Sequence, residues 1–497
     1  DVYDYNTDTW ESLVNSVPME FNHFQAVEYQ GLIWVIGAFK TNDFPSEIPA
    51  DFIWTFNPVT KEWIQGPEIP TGRKRGSAGL AVYNGKFYIL AGNTIGHDGG
   101  YVNWFDEYDP VTGIWTELSD APRARDHFNA TVINGKLYAA SGRLSGGLGG
   151  VFSPVISEVD VYDFITKSWS TLPSSQNIPT PRAAAIVVNY ENKLIVSGGE
   201  SLASTEAFNI TEIYDPVSQS WSTGAPLNQG RHGSQGIATD TGIFVVGGSP
   251  HRGGGNLKNM EFYGQDNPVG SASIASVLSA TNTVSFAIGE TKTISVSNSG
   301  GNIGTLLKNI NITGSDANEF TIVSGDIPFK LISANSTHDI VVSYIGNAFE
   351  KNATLTITYN NTDSLVIDLN APFDGLIYNG INWIPSAPDQ TTMLDNALIM
   401  SGEYTVTSDM EVHDLNVQSG ASLIVEPGNS MTTNGDLNVN GNAFIELRST
   451  SESYASLIPN GAVLGNVIYK RHVNNNDVGA TGSNDLIAPP LSGQAFN

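Results

Sequence analysis

The sequence predicts an all-β protein, with a bladed β-propeller followed by two smaller β modules, and three observations lead to that prediction. A set of motifs returns about every 50 residues through the first 265 residues, a period typical of propeller blades. Only 15% of the 497 residues are charged, and small polar residues alternate with aliphatic and aromatic ones. That composition is typical of strands joined by tight turns. After residue 265 the repeat stops and two other strand patterns follow.

The first repeated motif is a strand, a turn and a second strand that begins near a tryptophan. In most copies Asp or Asn caps the bend and a following Pro fixes its φ. The tryptophans at positions 63, 115, 169 and 221 lie 52, 54 and 52 residues apart. The copies span residues 54–63, 106–115, 160–169 and 211–221, with a shorter one at 1–10 that ends in Trp10. We expect Trp10, Trp63, Trp115, Trp169 and Trp221 to be structural blade residues.

The second repeated motif is an apolar strand that ends in a pair of small residues. These pairs open at residues 91, 141, 198 and 247, and small side chains there let neighbouring blades approach closely. An arginine precedes each pair by 16 residues, at Arg75, Arg125, Arg182 and Arg231. Its return once per blade favours a structural role, in which it pairs with an acid or carbonyls of a neighbouring blade. A role in binding is the alternative.

Together these motifs resemble the kelch family, which has Gly-Gly, Tyr-Asp and a spaced Trp in each four-stranded blade. The resemblance covers residues 1–265 and implies six blades, with the first and last incomplete. Phe21 replaces the arginine of the first full blade, and the last blade lacks its closing tryptophan after Tyr263. We expect the missing outer strand to come from residues upstream of Asp1. A five-bladed ring is the alternative, but it leaves residues 1–5 without a place.

Residues 281–372 contain about seven short alternating strands and no cysteine, which suits an immunoglobulin-like β-sandwich without its disulfide. The segments 294–300, 312–320 and 353–357 resemble the HYDIN and choice-of-anchor repeats of bacterial proteins. In that family the module is a spacer or adhesion unit.

From residue 376 to 473 the pattern changes again, because Asp414-Leu415-Asn416-Val417 recurs 22 residues later as Asp436-Leu437-Asn438-Val439. This period suits the coils of a β-solenoid-like module or a jelly-roll-like stack of short strands. The segment resembles stretches of surface proteins exported by the bacterial type IX secretion pathway. We expect residues 474–497 to be a truncated tail.

Composition excludes several classes of function. The net charge of −27 repels phosphate backbones, so no nucleic-acid partner is expected. The absence of cysteine excludes disulfides, cysteine-ligated zinc and thiol nucleophiles. No apolar run is long enough to span a membrane, and no signal peptide opens the chain. We expect an extracellular or cell-surface protein of bacterial type.

The motifs point to binding rather than catalysis. Galactose-oxidase chemistry needs a Cys crosslinked to a Tyr, which this chain cannot form. No metal or nucleotide motif is present, so we expect no catalytic residues, no metal and no cofactor. A kelch-type sugar epimerase or mutarotase is the surviving enzyme alternative. Its candidates precede the innermost strands: His23, His127 and His232, with Arg125, Asp126 and Arg231 alongside. The plainer interpretation is that these histidines bond backbone at the blade entrances.

The loops between the second and third strands of each blade vary in length, as expected where recognition sits on a rigid scaffold. Aromatic and small polar side chains there suit a glycan or a surface protein. The expected ligand-binding residues are His97, Asp98, Tyr101, Trp104, Phe152, His251 and Arg252. The predicted function is therefore non-catalytic recognition or adhesion. A purely architectural role is the third alternative.

Overall fold

The computed structural model describes residues 1–13, 17–265, 268, 270–287, 289–346 and 351–472. The predicted tail, 474–497, and residue 473 lie outside these residues. The regular secondary structure of the described part is strand, apart from three short 3-10 helices at Gly96–Asp98, Ser174–Gln176 and Ala317–Glu319. None of its helices has the length and apolar character needed to cross a membrane. The chain divides into two compact units, of which the second holds residues 371–497 and two short preceding segments.

The N-terminal region contains short antiparallel strands grouped as consecutive sheets. In chain order they are β1 (Val2–Asp4), β2 (Thr9–Glu11), β3 (Ala26–Tyr29), β4 (Leu32–Val35), β5 (Phe52–Asn57), β6 (Glu62–Glu68), β7 (Gly79–Tyr83), β8 (Lys86–Leu90), β9 (Phe105–Asp109), β10 (Ile114–Glu117), β11 (Ala130–Ile133), β12 (Lys136–Ala139), β13 (Asp160–Asp163), β14 (Ser168–Thr171), β15 (Ile186–Tyr190), β16 (Lys193–Ser197), β17 (Thr211–Asp215), β18 (Ser220–Thr223), β19 (Gly236–Ala238), β20 (Gly242–Val246) and β21 (Met260–Gly264).

These strands make four complete blades, β3–β6, β7–β10, β11–β14 and β15–β18, each with its strands in sequence order. The sheet β19–β21 has three strands and the hairpin β1–β2 has two. The prediction of a propeller with an incomplete blade at each end is confirmed. The four complete blades are numbered one to four in chain order, and the sheet β19–β21 is the fifth blade. Among the described strands, none pairs with the free edge of β21. The hairpin β1–β2 packs its Tyr3 against Phe244 of β20, with ring centroids 6.2 Å apart.

Separate hydrophobic clusters join neighbouring blades. Leu137 and Ala139 of the third blade share a cluster with Leu90 of the second, for example. Similar clusters lie between the first and second blades, the third and fourth, and the fourth and fifth. A single blade would leave both of its apolar faces in water, so each blade depends on its neighbours for stability.

The innermost strands β3, β7, β11, β15 and β19 surround the propeller axis, and two glutamine side chains bridge them. The Gln25 carboxamide accepts the N–H groups of Leu80 and Ala130 at 2.9 Å and donates to the Ala130 carbonyl at 2.8 Å. Gln235 exchanges hydrogen bonds with the backbone of Ala26 at 2.9 and 2.6 Å. Polar amides therefore cross the axis and tie the first blade to the second, third and fifth.

The middle region folds as a two-sheet sandwich with strands β22 (Val277–Ser279), β23 (Thr283–Ser285), β24 (Thr291–Ser299), β25 (Thr305–Thr313), β26 (Phe320–Ser324), β27 (Leu331–Ile332), β28 (Ser336–Tyr344), β29 (Lys351–Tyr359) and β30 (Asp363–Ala371). The sheet orders are β22-β24-β28-β26 and β23-β30-β29-β25-β27. Buried and exposed residues alternate along β24, β28 and β29, as in a sheet with one face on a core. The very short β22 and β27 were not predicted. The immunoglobulin-like assignment and the predicted domain limits stay predictions.

The sandwich packs against the propeller face that carries the tight turns within blades. Ile303, Leu306 and Leu331 join the cluster between the first two blades. The N–H of Leu331 donates to the Pro110 carbonyl at 2.7 Å, in the turn after β9. The opposite face of the propeller carries the longer loops between second and third strands.

The C-terminal unit is a parallel β-solenoid. Its strands are β31 (Leu376–Tyr378), β32 (Trp383–Ile384), β33 (Ala397–Ile399), β34 (Glu403–Val406), β35 (Met410–Val412), β36 (Leu415–Val417), β37 (Ser422–Val425), β38 (Ser430–Thr433), β39 (Leu437–Val439), β40 (Phe444–Leu447), β41 (Ser456–Pro459), β42 (Val463–Leu464) and β43 (Val467–Tyr469). Strands stack in three sheets to form about four coils. The predicted repeat is in register, because Leu415 pairs with Leu437 and Val417 with Val439.

Candidate functional site

The five predicted tryptophans lie on the outer strands of their sheets, and each packs at a tilt against an aromatic residue of the adjacent strand. The ring centroids are 4.9–5.3 Å apart in Trp10–Tyr3, Trp63–Phe56, Trp115–Tyr108, Trp169–Tyr162 and Trp221–Tyr214. Such pairs stabilise a sheet beyond the area they bury. The structure therefore places these tryptophans in the blades and away from the loop face.

The four repeated arginines are fully buried, and each pairs with an acid on the third strand of its own blade. Arg75 meets Asp106 at 2.8 Å, Arg125 meets Asp160 and Arg182 meets Glu212 at 2.5 Å, and Arg231 meets Glu261. The expectation of an acid from a neighbouring blade is wrong. The first and third strands of a blade run in the same direction. The arginine, just before the first strand, and the acid, near the start of the third strand, therefore lie at the same end of the blade.

The first full blade replaces this ion pair by two aromatic residues. Phe21 stands at the arginine position and Trp54 at the acid position, with ring centroids 6.3 Å apart in an edge-to-face contact. Buried ion pairs can be exchanged for apolar side chains only when both partners change, since one charge left alone is costly. The arginines are thus parts of the scaffold, and Arg125 and Arg231 are not free to hold a substrate.

The loops at 39–51, 93–103, 143–157, 200–209 and 249–258 contact one another in succession to form one surface, which we call the loop face. The N–H of His97 donates to the Pro45 carbonyl at 2.8 Å, which joins the first two loops. The N–H of Arg252 donates to the Thr205 carbonyl at 2.8 Å, which joins the last two. A face with this many cross-links is a rigid platform.

Two of the predicted ligand-binding aromatic residues, Trp104 and Phe152, have arginine side chains of the protein over their rings. The Trp104 ring lies under the guanidinium groups of Arg73 and Arg75, at 4.6 and 5.6 Å. The Phe152 ring is contacted by Arg143 at 5.1 Å and by Arg252 at 5.6 Å. These cation–π contacts hold the loops together.

The remaining predicted residues divide between surface and interior. Tyr101 is exposed, and His251 is an exposed residue whose Nδ1 lies 2.8 Å from Glu206. Asp98 accepts a hydrogen bond from Ser46 at 2.5 Å. His97 is buried beneath the loops.

Exposed apolar side chains also mark the loop face. They are Phe44, Ile48, Ile95, Leu148 and Leu202, on the first four loops. Sequence analysis singled out aromatic and polar loop residues and so missed the aliphatic ones. Their signal was an aliphatic residue within a Gly/Ser-rich loop, as at Leu148 in Gly146-Gly147-Leu148-Gly149-Gly150.

Beneath the loops, three histidines from three blades meet at the mouth of the propeller axis. The ring centroids of His23 and His127 are 4.3 Å apart, and that of His97 lies 4.9 and 4.8 Å from them. His23 and His127 occupy the same position in their blades, with φ of 42° and 51°. The carbonyl of each accepts an N–H from the next blade, Ser77 for His23 and Ala184 for His127, at 2.8 and 2.6 Å. Blade contacts therefore fix where these imidazoles stand.

Carboxylates orient two of the three imidazoles. The Nδ1 atom of His97 lies 2.6 Å from a Glu47 oxygen, and that of His127 lies 2.5 Å from an Asp126 oxygen. Asp126 also accepts hydrogen bonds from the hydroxyl and N–H of Ser145, at 2.6 and 2.9 Å. The Nε2 atom of His127 is buried, and no residue in the described part of the chain forms a hydrogen bond with it.

A second group of charged residues continues the cluster toward the fourth and fifth blades. Arg143 pairs with Glu200 at 2.5 Å, and Glu200 lies 3.5 Å from His232 Nε2. His232 stands one residue before the position of His23 and His127, and its Nε2 is 2.9 Å from the His251 carbonyl. The backbone contact expected of these histidines is thus seen at His232. At His97 and His127 the partner is a carboxylate.

A cavity of about 450 Å³ opens beside this cluster, lined in part by His23, His127 and His232. Burial holds the pKa of His23 and of His127 well below the ordinary value, and the neighbouring charges of other histidines and Arg143 add to the effect. Burial also lowers the pKa of His97 and His232. Burial raises the pKa of Asp126 against the opposing charge of Arg143. Burial therefore favours the neutral form of these imidazoles, which leaves a nitrogen lone pair available to a ligand.

Comparisons with known proteins agree with the blade architecture. Repeated Gly-Gly, Tyr-Asp and Trp elements in four-stranded sheets around an axis define a kelch-type propeller. Residues 66–248 match the family model described as the KLHDC2/KLHL20/DRC7 Kelch-repeats domain. This part of the N-terminal region is therefore similar to a kelch-repeat domain.

Several curated proteins are similar to this region at low identity. Kelch-like protein terF of Aspergillus terreus is 27% identical over 252 residues, which cover 50% of this chain and 53% of that protein. Human Kelch-like protein 23 is 26% identical over 47% of this chain and 38% of its own length. Alpha-scruin of Limulus polyphemus is 26% identical over 48% of this chain and 26% of its own length. The chain thus spans about half or less of these relatives.

Among solved structures, that of YjhT aligns with 49% of this chain and 81% of its own length, at 16% identity and a TM-score of 0.40.

Proposed function

We propose that the propeller is a protein-recognition domain that binds a partner through its loop face. The observation that carries this proposal is the set of exposed apolar side chains on four cross-linked loops, among them Phe44, Leu148 and Leu202. Apolar groups held on a rigid surface are typical anchors of protein interfaces. Kelch-repeat proteins generally mediate protein binding, which supports the same conclusion.

A protein partner fits this surface better than a glycan. Sugar binding commonly uses the free face of an aromatic ring, and Trp104 and Phe152 each have guanidinium groups over a ring face. Exposed aliphatic residues such as Leu148 and Leu202 suit the apolar patches of a protein. The net charge of −27 disfavours nucleic acid. The partner that we propose is a protein of the cell surface or the extracellular space, with a glycan as the alternative.

We further propose an extracellular or cell-surface location and an adhesive role. The sandwich and the solenoid support this, because both are all-β modules without cysteine and both resemble modules of bacterial surface proteins. Detection of the protein in the surface fraction or the medium of its source cells, rather than in the cytosol, tests the location.

The test of recognition is a pair of matched variants of the full chain. Phe44→Asp, Leu148→Asp and Leu202→Asp together place charges on the loop face. Ile165→Asp and Val217→Asp place charges at exposed apolar positions in turns on the opposite face. Partners enriched from an extracellular extract by the wild-type chain are then purified, and their dissociation constants are measured.

We expect the loop-face variant to weaken binding by about 30-fold or more, since loss of central apolar anchors costs about 2 kcal/mol or more. The turn-face variant should bind as the wild type does. Equal loss in both variants, or no loss in either, contradicts the proposal. A glycan array probed with the same three proteins tests the carbohydrate alternative.

A sugar epimerase or mutarotase is the second candidate function, and one observation favours it. Asp126 and His127 form an acid–base pair beside a cavity of about 450 Å³. Turnover of isomerising sugars by the wild-type chain, lost in His127→Asn, would establish that activity. Absence of both turnover and partners would favour a purely architectural protein.

A further inference from the structure

The three histidines at the mouth of the propeller axis have the features of a metal site. His23, His97 and His127 each offer a nitrogen, and these ligand atoms lie within 4.8 Å of one another. Three nitrogens bound tetrahedrally at zinc–nitrogen distances of about 2.0–2.1 Å are about 3.3 Å apart. Binding therefore requires the nitrogens to move closer together by up to about 1.5 Å.

The hydrogen bonds of two of the imidazoles leave the correct nitrogens free. His97 and His127 use Nδ1 to bond Glu47 and Asp126, at 2.6 and 2.5 Å. Metal-binding histidines typically donate one ring N–H to a carboxylate, which orients the ring and makes the other nitrogen a better ligand. The Nε2 of His127 is buried and has no hydrogen-bond partner among the described residues, which is costly unless a ligand satisfies it.

The charges around the three imidazoles favour a cation. Glu47, Asp126 and Glu200 carry three formal negative charges in the cluster, and Arg143 carries one positive charge. The balance of two negative charges suits a divalent ion. Three imidazole nitrogens are the ligands of Zn²⁺ and related transition metals, whereas Ca²⁺ and Mg²⁺ require oxygen.

We propose that His23, His97 and His127 bind one divalent transition-metal ion, Zn²⁺ in the first place, with Glu47 and Asp126 as orienting partners. Three protein ligands leave a coordination position open. Because His23 and His127 also line the cavity, a small molecule with a carboxylate, hydroxyl or water oxygen could enter and bind the ion there. A bound ion would tie the 93–103 loop to the segments that precede β3 and β11.

The test uses the full chain after chelator treatment and dialysis, titrated with Zn²⁺ by calorimetry and with Co²⁺ by visible absorption. We expect one ion per chain and the intense visible bands of four-coordinate Co²⁺. His23→Asn and His127→Asn are suitable variants, because asparagine tolerates the positive φ of these positions. His97→Gln removes the third ligand.

Each of these ligand variants should weaken Zn²⁺ binding more than Glu47→Gln and Asp126→Asn do, and the latter should weaken it by about 10- to 100-fold. His251→Gln, on a neighbouring loop, is the control and should bind as the wild type does. Zn²⁺ should raise the melting temperature of the wild-type chain but not that of the ligand variants. The melting curve also reports whether each variant is folded.

Absence of stoichiometric binding by the wild-type chain overturns the proposal, as does unchanged affinity in the histidine variants. If a ligand variant does not fold, the Zn²⁺ affinity of Glu47→Gln tests the proposal instead. Glutamine keeps a hydrogen-bonding side chain of the same shape, so this variant should fold. These readouts need no partner protein. The Leu148→Asp variant should bind the metal normally, so failure of the metal site and failure of loop-face recognition are distinguishable.

Discussion

Asp160 gives the sharpest test of what holds a blade together. It begins β13, its side chain is inaccessible to solvent, and it meets Arg125 at 2.5 Å and Arg123 at 3.2 Å. The hydroxyl of Thr171 donates to its other oxygen at 2.6 Å. Asp160→Asn preserves the volume and the contact with Thr171 while removing the charge that balances two guanidinium groups.

We expect this substitution to destabilise the propeller strongly. Breaking a buried ion pair by neutralising one partner costs about 3–5 kcal/mol, because the other charge stays desolvated. For a domain of this size the loss corresponds to a fall of about 6–20 °C in melting temperature.

Thermal melting followed by near-ultraviolet circular dichroism measures the effect, since the signal comes largely from the blade tryptophans. The propeller transition is compared between proteins, because a chain of several domains need not unfold in a single step. The matched control is Asp163→Asn on the same strand, whose ion pair with Lys136 at 3.1 Å is partly exposed. That pair should contribute little to stability, because water screens the two charges. If Asp160→Asn melts within about 2 °C of the control, the ion pair does not stabilise the blade as we argue.

Three further predictions concern pH, blade contact and the solenoid. Burial lowers the folded-state pKa of His127, so below about pH 6.5 the unfolded chain binds protons that the folded chain does not. Stability of the metal-free protein should therefore fall from pH 7 to 5.5, and less steeply in His127→Asn than in His251→Gln; equal slopes would contradict this. Gly198→Ala should destabilise the propeller, because a Cβ there would lie 2.3 Å from the Arg231 carbonyl oxygen and φ is +65°; an unchanged melting temperature would refute that contact. Leu437→Ala should cost the solenoid about 2–5 kcal/mol in urea unfolding, whereas the exposed Leu464→Ala should cost little, and similar losses in both would be inconsistent with the coil packing.

Repetition made the scaffold predictable. Trp115, Trp169 and Trp221 each return at the same point of a blade, so one physical role explains all of them. The 22-residue repeat likewise placed Leu415 directly beneath Leu437 in adjacent coils. The blade that supplies the acid to each arginine was predicted wrongly. The spacing along the chain shows that an arginine recurs from blade to blade, but it does not show which sheet provides its acidic partner.

The site beneath the loops was only partly predictable. His127 and Asp126 are adjacent in sequence and were considered together, but Glu47, His97 and Arg143 come from separate irregular loops. No periodic pattern relates positions in such loops, and only the closure of the ring brings them within hydrogen-bond distance. Likewise, the sequence shows Phe152 as an aromatic residue in a loop, which suits sugar binding. Its contacts with Arg143 and Arg252 appear only in the three-dimensional structure.

The side-chain amides of Gln25 and Gln235 limit how far a small solute can pass along the propeller axis. Because they bridge strands of different blades, the passage is interrupted partway, with a histidine-lined chamber on one side and an apolar one of about 750 Å³ on the other. We therefore expect a solute that binds beside the histidines to enter from the loop face. A protein partner bound to the loop face would cover this entrance. A solute in the histidine-lined cavity should then dissociate more slowly while the partner is bound.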